Sequence, residues 1–359
     1  MKKIICFLFL FALLAIPAKA AELPAQLQDA LPEQAQELLG DADYSGTTSL
    51  SSGVSGIVHK VGRQIRGIVR ERVKGAVLIL LVVLLCGVID GFYHGTGSSS
   101  VINLMPMAGA LSITLLSVGS LDSLIGLGTD TIDTMSVFSK VLLPTLAAAT
   151  ASAGAVGTAT VQQVTTVFFV DLLISLINGL LVPMVYLYIG ALTAGAMLPE
   201  NRLSGIAEAL KKIITWILSA ALILFTVYLS IVHIVSGAVD TTVVKVAKAT
   251  ISGVVPVVGS ILSEASETVL AGAGMLKNTI GIFGTLAVLA TCAVPFVQLG
   301  IQYLLYKITA FLAGTVGASQ LCKLIDGLGG AFGLVLGMTG ACALLLLVSI
   351  LSSVAAVVP

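Results

Sequence analysis

The sequence predicts an all-α polytopic membrane protein of about seven or eight membrane segments, one or two of them re-entrant hairpins. Three observations carry this. Of 359 residues, 57% are hydrophobic and only 10% charged, against roughly 25% charged in ordinary soluble domains. The apolar residues fall in a series of long runs. The chain opens with an export signal. Lys+Arg and Asp+Glu balance at 18 each, so no net charge points to nucleic acid or to an acidic partner.

Residues 1–20 read MKKIICFLFLFALLAIPAKA. Lys2 and Lys3 form a basic start, Ile4 to Ile16 an apolar core, and Ala18-Lys19-Ala20 a small-x-small cleavage site, which predicts a signal peptide. Residues 21–56 are polar and read as an exported tail and linker. It holds a short amphipathic helix near Ala25 to Leu39, then a Gly/Ser/Thr-rich run. In residues 57–75, Lys60, Arg63, Arg66, Arg70, Arg72 and Lys74 alternate with Ile57, Val61, Ile65, Ile68, Val69 and Val73. That pattern predicts a basic amphipathic helix lying on a membrane surface or on partner helices.

Residues 76–359 form the multi-pass domain. Apolar segments are expected near 76–93, 101–120, 141–160, 164–197, 213–236, 279–305, 308–325 and 330–357, with Pro183 kinking the fourth. Topology constrains them. Arg202, Lys211, Lys212 and Lys307 read as cytoplasmic, and an exported N-terminus makes eight plain spans inconsistent with that. A re-entrant segment at 141–160, rich in Ala, Thr and Gly with Pro144 near its start, repairs the parity. The basic helix at 57–75 is then extracytoplasmic, against the charge rule. A second stretch, 239–278, repeats the order Asp-Thr, Lys, Pro (Asp240, Lys245, Pro256) found at Asp133, Lys140 and Pro144. Paired broken segments of this kind build midplane sites in many transporters.

No P-loop, HExxH, GxSxG or Cys/His ligand set occurs, so neither catalysis, cofactor nor metal is expected. Cys86, Cys292, Cys322 and Cys342 read as buried small residues. The sharpest polar feature is Asp171, inside TTVFFVDLLISLINGLLVP with Asn178 on the same helical face. A carboxylate in a span costs roughly 2.5–3.5 kcal/mol on insertion scales, so it faces a polar interior or a partner. Glu264 and Glu267, one helical turn apart, form with Lys277 a candidate polar cavity or the wet face of an interfacial helix. Gln298 and Gln302 suit interhelical hydrogen bonds, and Gly329, Gly333 and Gly337 make two consecutive GxxxG steps for close helix packing.

Several segments together resemble the stage III sporulation protein AE family of endospore-forming Firmicutes. They are SKVLLPTLAAATASAGAVGTATVQQ at 139–163, KKIITWILSAALILF at 211–225 and VKVAKATISGVVPVVGSILSEASETVLAGAGMLKNTIGIFG at 244–284. The resemblance implies a membrane subunit of the apparatus joining mother cell and forespore, needed for forespore development. Its partners would be other membrane and intermembrane-space proteins of that complex, its site the mother-cell or outer forespore membrane, and its state an oligomer or hetero-complex. It assigns no catalytic residue. The residues also leave open a self-contained secondary transporter coupled through Asp171 or Glu264 and Glu267, or a membrane scaffold.

Overall fold

The computed structural model describes residues 24–40, 50–94, 104–197, 204–254, 259–316 and 319–355, with 233–254 and 259–271 described by their backbone alone. The expected signal peptide and Pro256 lie outside these residues. All regular structure among the described residues is helical: α1 (Ala25–Asp29), α2 (Glu33–Leu39), α3 (Leu50–His94), α4 (Leu104–Ser152), α5 (Val156–Leu176), a π-turn (Ile177–Leu181), α6 (Val182–Met197), α7 (Ser204–Val254), α8 (Gly259–Thr315) and α9 (Ser319–Ala355). Among the described residues six stretches are long and apolar enough to cross a bilayer: Leu50–Phe92, Met105–Ser152, Ala159–Met197, Gly205–Val232, Gly272–Thr315 and Ser319–Ala355. The protein is an all-α polytopic membrane protein.

Six such helices replace the seven or eight expected segments because several apolar runs share one helix. Residues 104–120 and 141–152, from two of the expected segments, both belong to α4. The stretch 308–325 is no separate segment, since α8 ends at Thr315 and α9 begins at Ser319. Residues 141–160 are the end of α4, a turn and the start of α5, so the chain reverses within this segment. Pro144 sits inside α4 without ending it. Its missing N–H leaves the Lys140 carbonyl without a helical donor, a loss tolerated in a helix packed against α3, α5, α8 and α9. The chain reverses instead at Gly154, whose φ of 97° suits only glycine. Around it the Gly154 N–H donates to Ala151 O and the Ala155 N–H to Thr150 O, closing the helix end.

Pro183 does mark an irregularity. The Val182 N–H reaches Ile177 O, one residue further back than in an α-helix, and the π-turn lies directly before the proline. The expected helix near Ala25 to Leu39 is two short helices divided at Pro32, which stands at the N-cap of α2. Leu27, Ala35 and Leu38 are buried, and Lys60 donates to Glu37 O at 2.8 Å. This part of the tail is docked on the bundle. The basic stretch and the first apolar stretch are one continuous helix, α3.

Successive long helices alternate in direction, with α8 and α9 at the centre. Of their most apolar windows 67% and 61% is buried, against 17% for α3. A Cβ on Gly329 would meet Tyr306 Cβ and the Tyr303 carbonyl, and one on Gly333 the Tyr303 ring, so two glycines of the row bring α9 onto α8. Gly337 instead faces Leu218 of α7. The pair α3–α4 also runs in a defined register. Gly109 lies against Cys86 at one end. At the other, Gly53 meets Leu286 and Gly284 meets Leu142, so α8 bridges α3 and α4. The same number of residues separates Cys86 from Gly53 as separates Gly109 from Leu142, so the two helices keep level over that length.

Candidate functional site

The polar groups of the bundle fall into two sets, one internal and one on its surface. Inside, the Tyr306 hydroxyl donates to Ser117 Oγ at 2.9 Å, and Tyr188 donates to Gly327 O at 2.8 Å. Gln162 Nε2 donates to Ser349 O at 2.9 Å, and Thr166 Oγ1 lies 2.6 Å from Ser349 Oγ. These tie α4 to α8, α6 to α9 and α5 to α9, where lipid could offer no substitute partner. Gln302 is buried with its Oε1 unbonded among the described residues. Lys277 is 5% exposed. Lys307 pairs with Asp326 across α8 and α9. Cys292 and Cys342 are buried, and Cys86 and Cys322 partly so.

The surface set is a seam along the antiparallel hairpin that α4 makes with α5 and α6. On α4, Asp122, Thr129, Asp133 and Lys140 recur at the seven- and four-residue steps that keep one helix face. Three of them meet the facing helices as rungs. Tyr186 donates to Asp122 Oδ1 at 3.2 Å. Asn178 donates to Asp133 Oδ1 at 3.1 Å. Lys140 Nζ lies 3.6 Å from Asp171 Oδ1. From Asp122 to Lys140 the seam runs about 27 Å at 1.5 Å per residue.

The seam is open to the outside of the chain. Lys140 and Asp171 side chains are 58% and 52% exposed, and Asp122, Asp130 and Asp133 are exposed too. Beside Asp171 on α5, Phe168 and Leu172 are 60% and 48% exposed. Charged and large apolar groups thus emerge at one level, which neither plain water nor plain lipid satisfies. The local reason is sequence. The hydroxyls of Thr129 and Thr134 bond back to carbonyls of their own helix, leaving the carboxylates to face outward. The π-turn carries Asn178 at the level of Asp133, and Pro183 follows it.

Asp171 and Asn178 therefore belong to one constellation, as separate rungs. Glu264 and Glu267 lie in the part of α8 described by backbone alone, so no contact between them and Lys277 is described. The residues that complete the seam, Asp122, Asp133, Lys140 and Tyr186, were missed as site members. Their spacing along one face of α4 is the signal that finds them. Among the described residues no cluster of His, Cys, Asp and Glu could hold a metal ion. An enclosed cavity between α4, α5 and α9, lined by Ser136, Val170, Cys342 and other largely apolar residues, has room of about 10 Å³, which is at most one water.

The fold and seam define a class: a helical membrane protein whose conspicuous charged surface is turned outward rather than into a ligand cavity. A model of the stage III sporulation protein AE family matches residues 41–357, and the chain belongs to that family, whose role is in sporulation. It is 23% identical over 289 residues to the protein named Stage III sporulation protein AE of Bacillus subtilis (strain 168), covering 80% of this chain and 70% of that protein. No solved structure matches.

Proposed function

We propose that this protein is a membrane subunit of the sporulation channel or transport apparatus joining mother cell and forespore, and that it works through assembly with other subunits. The observation supporting this is the exposed seam of Asp122, Asp133, Lys140 and Asp171. These charged side chains stand exposed beside the exposed Phe168 and Leu172, the mixed polar and apolar character of a surface that a neighbouring protein covers. The N-terminal segment is extracytoplasmic in this reading, and Ser204 to Lys212 cytoplasmic. Six alternating helices make this parity consistent without a re-entrant segment.

The test combines Asp171→Asn and Lys140→Gln with two readouts, spore yield and recovery of partner proteins with the tagged chain. Loss of both together supports the subunit role. Loss of spores with partner recovery intact would sink it in favour of a carrier. Cysteine probes at Ser55 and Ser152 should label from outside and one at Ser204 only from inside. The reverse pattern overturns the orientation.

A further inference from the structure

Among the described residues the basic face of α3 has no counterpart of opposite charge. Arg63, Arg66, Arg70 and Lys74 are exposed and lie at the three- and four-residue steps of one helix face. With His59 and Gly62, Arg63 and Arg66 line an open groove of about 460 Å³. Among the described residues none of these four forms an ion pair. The register of α3 and α4 sets their heights. Lys74 stands level with Asp122, Arg66 with Asp130 and Arg63 with Asp133, because each pair is nearly equidistant from the Cys86–Gly109 contact. At ~1.5 Å per residue the residual offset is about one residue's rise. Yet the two faces point away from each other, since all of these side chains remain exposed and unpaired across the helices.

We propose that the basic face of α3 docks on the acidic seam of α4 in a second copy of this chain. The seam carries Asp122, Asp130, Asp133 and Asp171 against Lys140 alone, and the α3 face carries four cations at matching heights. A side-by-side copy in the same membrane, related by rotation about the membrane normal, keeps those heights. It therefore sets Lys74, Arg66 and Arg63 opposite Asp122, Asp130 and Asp133 with no vertical shift. The two patches are different surfaces of one chain, so the contact is head-to-tail, and a rotation that closes makes a ring. Charge pairing would neutralise both faces, which is what their position among exposed apolar side chains requires. The proposal names the partner at the seam described above, and it can be tested without reference to sporulation.

Two differently tagged full-length chains, both with the native cysteines replaced, are co-expressed in membranes. One carries Arg66→Cys and the other Asp130→Cys. Oxidation should give a mixed-tag disulfide dimer, and neither variant alone should do so. Placing both cysteines in one chain should give a ladder of multimers. Reversal of one face (R63D with R66D) should reduce the native-gel oligomer at least tenfold. Adding D130R and D133R to the same chain should restore it, which also controls for folding. A disulfide joining two Arg66→Cys chains, with no mixed product, overturns the head-to-tail arrangement. An oligomer indifferent to the reversals, or a wild-type chain that is monomeric and uncross-linked in membranes, overturns the interface itself. Loss of the oligomer on reversal with no effect on spore yield would instead count against the proposed function alone.

Discussion

The hairpins α8–α9 and α4–α5 both carry polar side chains along an antiparallel seam, and they dispose of them in opposite ways. Between α8 and α9, Gly329 and Gly333 bring the helices close. The polar groups of these two helices close on neighbouring helices of the chain, as Tyr306 does on Ser117 of α4 and Ser349 on Gln162 and Thr166 of α5. Where α4 faces α5, the π-turn and α6, the rungs Lys140–Asp171, Asp133–Asn178 and Asp122–Tyr186 are exposed. Buried hydrogen bonds cost free energy when one partner is removed. Exposed pairs are screened and contribute little to the fold. The first hairpin therefore holds the subunit together, and the second is free to serve its neighbours.

Variants can break this comparison. The largest effect is expected at Gly329→Leu, where the new side chain meets Tyr306 and the Tyr303 backbone. Overpacking of about 3 kcal/mol or more should remove the folded protein from membranes, read as steady-state level and melting temperature in detergent. Normal accumulation would mean that α8 and α9 are not packed this way. Gly154→Ala forces a Cβ into left-handed backbone at the tip of the other hairpin and should cost about 1–2 kcal/mol, visible as a lower melting temperature. Gln162→Ala removes the amide that joins α5 to the Ser349 carbonyl of α9 and should cost about 1 kcal/mol. An unchanged melting temperature would dissolve the distinction between internal and surface seams. Asp171→Asn should move stability least, by under about 0.5 kcal/mol, while weakening assembly.

Much of this was legible from the residues, and the failures have physical causes. The apolar runs identified membrane helices because hydrocarbon accepts little else. Asp171 and Asn178 stood out for the same reason. Boundaries were harder. Pro144 looked like a break, yet α4 runs through it, since packing on neighbouring helices outweighs one lost hydrogen bond. Gly154 ends the hairpin with no proline or charge beside it.

By itself the sequence determined the solvent of this chain, the helical class and the residue types on each helix face, because hydropathy and the α-helical period are local properties. Only the tertiary structure decided which faces meet. Asp133 finds Asn178 and Ser117 finds Tyr306 because of the register between distant helices, which no local pattern encodes. That register also left the cations of α3 and the carboxylates of α4 level with one another and unpaired.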